Sequence, residues 1–297
     1  MEAILSIKNN FITREACEIC SSRKQEILIS RFLADKSIRI FLENYYQGRM
    51  DLEALATGKY EIVQCKVCDF IWQKYVLNDE YLFKLYEEWI SAEESLKKKS
   101  VASPEIFLSY ANDIANISFF LKKNPSEIRV LDYGMGWGYW CMMAKAFGYH
   151  ISGFELSESR KSFARKNAID VISEQEHLNK MSFDYINVYQ VLEHLTDLKA
   201  TLLMLQKCLK SEGLLKISVP NGKRVKRNLL SSKWKPSKGP IQPLEHINCF
   251  ENKTLIRLAR ECGLEPIIPT KMNQGIAWIR HAYARYFNTY IYFRKSN

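Results

Sequence analysis

Val130-Leu131-Asp132-Tyr133-Gly134-Met135-Gly136-Trp137-Gly138-Tyr139-Trp140 is the stretch whose reading decides the fold. Ile128, Val130 and Leu131 form the short apolar run of a strand buried on both faces of a parallel sheet, and Asp132 closes it. Gly134, Gly136 and Gly138, at alternate positions, then allow a sharp turn in which a ligand can approach bare backbone. Tyr139 to Phe147 continues as an apolar helix. The dinucleotide fingerprint Gly-x-Gly-x-x-Gly does not fit this turn. Counted from Gly134 its third glycine would fall at Tyr139, and counted from Gly136 it would fall at Cys141.

Working outward, strand-like and helix-like segments alternate from Ile128 onward, as in an α/β fold with a doubly wound parallel sheet. Tyr149 to Phe154 reads as the second strand, ending at Glu155, 19 residues after Gly136. A carboxylate there can accept hydrogen bonds from both hydroxyls of an adenosyl ribose. Asp170 to Ile172 supplies a third strand. In the loop after it, Glu174, Gln175, Glu176 and His177 are all candidates for holding an adenine ring, and none is singled out. Leu214 to Val219 is a fifth strand, and Leu264 to Pro269 and Thr289 to Arg294 are the last two, the latter antiparallel. Between those two, Ile276 to Phe287 sets Trp278, Tyr283, Tyr286 and Phe287 beside Arg280 and Arg285. It reads as a helix packed on the sheet, with a membrane-surface helix as the competing reading.

An acidic residue two positions before Gly-x-Gly-x-Gly resembles motif I of the class I S-adenosyl-L-methionine (SAM) dependent methyltransferases. Gly153-Phe154-Glu155-Leu156-Ser157 resembles the acidic motif of that family, and Phe183 to Leu195, ending in Leu192-Glu193-His194-Leu195, resembles its motif IV. The resemblance implies a Rossmann-like, doubly wound, seven-stranded, mostly parallel sheet and SAM as cofactor. It assigns cofactor binding to Asp132, Gly134, Gly136, Gly138, Glu155 and Gln190, the last touching the methionyl part or the acceptor. Glu193 and His194 offer an acid/base pair, but in such proteins these two positions often belong to the strand-to-helix turn. Lys210-Ser211-Glu212-Gly213 resembles the Lys-Pro-Gly-Gly turn before the fifth strand, with Ser211 and Glu212 as departures.

The amino-terminal third has a different character. Cys17-x-x-Cys20 and Cys65-x-x-Cys68 are two pairs at metal-binding spacing, 44 residues apart. Each pair can bite one ion, giving tetrahedral thiolate ligation of a structural Zn2+ with no position left for catalysis. A redox pair or chance placement is the alternative. The segment between the pairs, including Ser30 to Tyr46, is expected to fold as an insertion with its own helix or strand. Phe70, Trp72 and Tyr75 suggest a strand leaving the cysteines, and Asn78 to Ile90 a helix. Cys141, Cys208, Cys249 and Cys262 read as small core residues. Ser91 to Ser103, rich in Glu, Lys and Ser, reads as a linker, and Pro104 to Leu121 as a helix with Ser103 as its N-cap. The expected organisation is therefore a zinc-binding module over 1–90, a linker over 91–103 and the methyltransferase domain over 104–297.

Charge is unevenly placed. Residues 1–127 hold 17 basic and 19 acidic side chains, whereas residues 128–297 hold 26 and 14. Lys223, Arg224, Lys226, Arg227, Lys233, Lys235 and Lys238 lie between Asn221 and Pro240 without an acid among them. Leaving the fifth strand at its carboxyl end, this run is expected to rim the site and to favour an anionic acceptor, a solvated loop being the plainer reading. After it, Glu245-His246 stands before an aromatic residue, Phe250, and a helix from Asn252. That arrangement resembles a group of sugar carbon-methyltransferases with an amino-terminal four-cysteine zinc module, and the resemblance makes Glu245 and His246 an acid/base couple. A structural histidine is the rival reading.

At 297 residues and 47% apolar content, the chain can fill one large and one smaller core. Met1 to Asn10 lacks the apolar core of a signal peptide, and no run of about 18 apolar residues occurs. A cytoplasmic methyltransferase acting on a small anionic acceptor, such as a nucleotide-linked sugar or a glycan precursor, is the expectation. The alternatives are an RNA methyltransferase using the basic run, and a non-enzymatic binding protein on the same fold. The acidic balance of the cysteine-bearing part, and Trp234 as the one aromatic among the loop's charges, weigh against RNA.

Overall fold

Apolar runs punctuated by Gly, Asp and Asn dictate the succession of elements in the computed structural model, which describes residues 10–101, 103–267 and 288–296. The helix expected over 276–287 lies outside the described residues. In chain order come β1 (Phe11–Thr13), β2 (Gln25–Phe32), α1 (Lys36–Tyr46), α2 (Leu52–Leu55), β3 (Lys59–Cys65), β4 (Ile71–Gln73), β5 (Tyr75–Leu77) and α3 (Asp79–Lys84). There follow α4 (Ala92–Ser100), α5 (Pro104–Leu121), β6 (Arg129–Tyr133), α6 (Tyr139–Ala146), β7 (His150–Phe154), α7 (Glu158–Lys166), β8 (Asp170–Ile172) and α8 (Gln175–Leu178). The remainder is β9 (Phe183–Tyr189), α9 (Leu198–Cys208), β10 (Leu209–Pro220), α10 (Val225–Leu229), β11 (Asn248–Cys249), α11 (Asn252–Glu261), β12 (Leu264–Ile267) and β13 (Asn288–Lys295).

The chain divides into two compact units. Met1–Ser91 groups with Arg224–Cys249, and Ala92–Lys223 groups with Phe250–Asn297. The division is not the continuous one expected from sequence. Arg224–Cys249 joins the first unit because β11 pairs antiparallel with β4, and because Val225, Leu229, Ile241, Leu244 and Cys249 enter the core built on Ile38, Leu42, Tyr46 and Ile62. The expected linker is instead the helix α4, grouped with the second unit. Its Glu93 and Glu94 in the first turn and Lys97, Lys98 and Lys99 in the last oppose the helix dipole in the favourable sense.

In the first unit β2, β3, β4 and β11 make a four-stranded antiparallel sheet, and β1 pairs with β5. Arg14 ties the late-arriving strand to the early ones. Its buried guanidinium donates to Asn248 Oδ1 at 2.8 Å and to the Ile247 carbonyl at 3.3 Å, and burial holds its pKa down to about 10.

The second unit carries a seven-stranded sheet in the order β12-β13-β10-β9-β6-β7-β8. The five strands from β10 to β8 are parallel, and β13 is antiparallel to both of its neighbours. This is the seven-stranded, mostly parallel sheet expected from the sequence. The unit's first strand, β6, lies in the middle, with β7 and β8 on one side and β9 and β10 on the other. That reversal of strand order opens a crevice at the carboxyl ends of the central strands, where ligands of open α/β sheets bind. The fifth strand begins earlier than expected. Lys210 to Gly213 lies inside β10, where the register with β9 shifts between Leu209 and Leu214.

The opposite end of the central pair is held by Asp184 at the start of β9. Its Oδ2 accepts the Arg129 N–H at 3.0 Å and Lys210 Nζ at 2.7 Å, and its Oδ1 accepts Lys123 Nζ at 2.9 Å. Burial pushes this carboxyl upward, but Lys210, the Arg129 N–H and Lys123 outweigh it and bring it down to about 2. A depressed carboxyl stabilises the fold above its unfolded value, 3.8, and loses that contribution as pH falls through 2. Asp184→Asn should therefore cost about 1–2 kcal/mol at pH 7, the lysines being partly exposed. Urea denaturation should show the difference from wild type shrinking as pH drops from 4 towards 2. A pH-independent difference would assign the effect to packing alone.

Candidate functional site

The crevice contains a cavity of about 1020 Å³. Two rungs of the sheet supply its floor. Asp132, Asn187, Lys216 and Tyr292 are in register across β6, β9, β10 and β13, and two residues further along Tyr189, Ser218 and Tyr290 are in register across β9, β10 and β13. All seven line the cavity, because residues two apart on a strand share a face. Tyr110 and Asp113 of α5 and Trp140 of α6 form the facing wall.

Asp132 is buried at the head of β6. It accepts Asn187 Nδ2 at 2.8 Å and the Cys141 thiol at 3.4 Å. Burial raises its carboxyl to about 6, opposed by those two hydrogen bonds and by the charge of Lys216. The glycine turn follows. Gly134 and Gly136 have φ of +77° and +56°, in the left-handed region that favours glycine. A Cβ on Gly134 would lie 2.5 Å from Val191 Cγ2, whereas one on Gly136 would meet nothing within 4 Å, so Gly136 faces open space. Gly138, also left-handed, is the N-cap position of α6 and does not line the cavity.

Glu155, just beyond β7, is 8% exposed and reaches back to the turn. Its Oε2 accepts the Gly136 N–H at 2.9 Å, and its Oε1 accepts those of Leu156 and Ser157 at 2.9 and 3.0 Å. Arg160 Nη1 stands 3.9 Å from Oε2. Gln190, after β9, has φ of +56° and donates its backbone N–H to Ser218 O at 2.8 Å. Its side-chain Nε2 is buried without a hydrogen-bond partner among the described residues, and Asn187 Oδ1 shares that condition. Asp132, Gly134, Gly136, Glu155 and Gln190 are thus gathered on one cavity.

Sequence reasoning passed over Lys216 and Asp113. The available signal was a lysine inside the apolar run Leu214-Leu215-Lys216-Ile217, where an exposed side chain has no place. Glu193, in the turn after β9, is fully buried, and burial raises its carboxyl to about 8. It is therefore largely protonated at neutral pH.

The first unit brings its four cysteines together. Cys17 Sγ is 3.4 Å from Cys68 Sγ, Cys20 Sγ is 3.5 Å from Cys65 Sγ, and all four sulfurs lie within 4.8 Å of one another. Four sulfurs about 2.3 Å from a central ion would be separated by roughly 3.8 Å, so the cluster has the dimensions of a tetrahedral thiolate site. In the same unit Glu245 is buried, with Tyr46 Oη donating to its Oε1 at 2.7 Å. His246 Nδ1 lies against the Gly239 carbonyl oxygen, which places the proton on Nδ1. Burial holds the His246 pKa below its ordinary value, so the ring is neutral near pH 7.

Among the described residues no helix is long and apolar enough to cross a membrane. No curated protein matches the chain. Solved structures with similarity to it include a SAM-dependent methyltransferase from Archaeoglobus fulgidus, 16% identical, covering 69% of this chain and 100% of its own at a TM-score of 0.44. A TehB-like SAM-dependent methyltransferase from Corynebacterium glutamicum is 14% identical and covers 74% of this chain and 100% of its own at 0.45. A third, from Mesorhizobium loti, is 16% identical and covers 61% and 96% at 0.41. The profile of the family described as "Methyltransferase domain" matches residues 107–268. That match spans more than half of the sequence, and the chain belongs to the methyltransferase-domain family.

Proposed function

We propose that the protein transfers a methyl group from SAM to a small anionic acceptor, of the class of nucleotide-linked sugars or glycan precursors. The observation that carries the cofactor reading is the joint presence, on one cavity, of the Glu155 carboxylate, the open face of Gly136 and Gln190, whose Nε2 has no hydrogen-bond partner among the described residues. Bound there, SAM supplies an electrophilic methyl on a sulfonium. Glu155 accepts a ribose hydroxyl at Oε2, and its three backbone hydrogen bonds keep it aimed beforehand. Gln190 positions the methionyl part or the acceptor. The protein's contribution is alignment and removal of a proton from the acceptor.

For the proton we assign Glu245 and His246. A neutral imidazole with its Nδ1–H on the Gly239 carbonyl carries its basic lone pair on Nε2. For the cysteine cluster we assign a structural Zn2+ held by Cys17, Cys20, Cys65 and Cys68, which the sulfur spacing fits. The seven basic residues between Asn221 and Pro240 favour an acceptor carrying phosphate. RNA is disfavoured as acceptor, because Trp234 stacks on Tyr60 at 5.8 Å and joins the unit's core.

Three measurements test these assignments. Glu155→Ala should abolish SAM binding in calorimetry while circular dichroism stays native, and unchanged affinity would falsify the cofactor assignment. Metal analysis of the purified protein should give about one zinc per chain, and a fully folded, metal-free sample would remove the ion from the fold. In a methyl-transfer screen against nucleotide sugars, His246→Ala should keep SAM affinity but slow turnover by about 10² or more. Wild-type turnover would return the histidine to a structural role.

A further inference from the structure

A charged pair taken out of water needs nearly all of its donors and acceptors met. Lys216, in the middle of β10, has a side chain only 9% exposed, and its Nζ pairs with Asp113 Oδ1 of α5, whose side chain is 15% exposed. Asp113 Oδ2 also accepts Trp140 Nε1 at 3.2 Å. Besides Asp113, the ammonium has the face of Tyr290, 5.9 Å from the ring centroid. Its remaining N–H donors have no hydrogen-bond partner among the described residues. Both members of the pair line the cavity. An ammonium with spare donors beside a carboxylate is complementary to an α-amino-acid zwitterion, whose charges run the opposite way.

We propose that Lys216 and Asp113 receive the amino-acid end of SAM, Lys216 binding its carboxylate and Asp113 its amino group. This rests on the reading that the cavity takes SAM with its ribose at Glu155. Distances along the sheet agree with it. Lys216 stands two strands from Asp132 on the same rung, which is about 10 Å at the usual strand spacing. Glu155 is held against the turn that follows β6 by the Gly136 N–H. The methionyl chain from ribose to carboxylate, single bonds of about 1.5 Å, spans roughly 8 Å when extended, and a charge-assisted hydrogen bond adds about 2.8 Å. The reach of the extended ligand is therefore of the same order as the separation of Lys216 from β6 across the sheet. A carboxylate on the methyl acceptor is the other source of the same chemistry, and the test separates the two.

The probes are S-adenosylhomocysteine and 5′-methylthioadenosine, which share the adenosine and the sulfur but differ in the amino-acid end. Calorimetry on wild type should show the first binding at least about tenfold more tightly than the second, about 1.4 kcal/mol. Lys216→Met should bring the two affinities together by weakening the first alone. Because that variant leaves Asp113 buried without its partner, Lys216→Met/Asp113→Asn is measured beside it, with native circular dichroism required of both. An undiminished preference in the folded double variant would overturn the proposal and leave the pair to the acceptor. Loss of both ligands in the folded variants would overturn it too, making the pair a structural support. Failure of wild type to bind either compound would strike instead at the SAM reading on which the proposal stands.

Discussion

Asp132 must be accommodated without water, and much of the second unit is arranged around that requirement. A buried carboxylate without partners is costly, so the neighbouring strand supplies Asn187 and the following helix the Cys141 thiol. The rung continues through Lys216, whose charge lies close enough to favour the ionised form. These partners also fix register. A slip of one residue in β9 or β10 would turn Asn187 or Lys216 to the other face and leave Asp132 unsatisfied. The same rung forms the floor of the cavity, so the constraint that sets strand alignment also sets the chemistry presented to a ligand.

The glycine turn adds a second constraint. Gly134 is packed against Val191 so closely that no side chain fits, while Gly136 is left facing open space. Glu155 bridges from the next strand to the Gly136 N–H and to two amides of its own segment. A carboxylate fixed by three backbone donors has little rotational freedom left to lose when a ligand arrives. Its remaining lone pair, on Oε2, is thus presented at low entropic cost.

Much of the second unit was legible in the sequence for simple reasons. Parallel strands buried on both faces read as apolar runs, and here they end in Asp132, Glu155 and Gln190, residues that apolar burial alone would not select. The closeness of the four cysteines was legible because Cys-x-x-Cys is a spacing at which two sulfurs can meet. The rest escaped because it depends on residues far apart in the chain. Asn248–Cys249 is a two-residue strand that exists only because β4 offers an edge, and no local periodicity announces it. Likewise, Val225 and Leu229 sit in a basic run that reads as a solvated loop until the core they enter is seen. Ser91 to Ser103 reads as a linker from its composition, although the order of acids before bases in Ala92–Ser100 is that of a short polar helix. Lys216 and Asp113 become a pair only when β10 and α5 are brought together.

The excursion from Arg224 to Cys249 has a consequence for how the chain is made. It leaves and re-enters the second unit at adjacent points, since Asn221 bridges to Phe250 and the Gly222 N–H donates to Phe250 O at 2.8 Å. During synthesis the first 91 residues emerge long before the strand and the five core side chains that complete their unit. Until more than 130 further residues have followed, β4 lacks its β11 partner and part of an apolar core stays open to other surfaces. Contacts of such long sequence separation form slowly. The four cysteines all lie within the first 68 residues, so the Zn2+ proposed for them would cross-link the nascent unit while it waits for the rest of its chain.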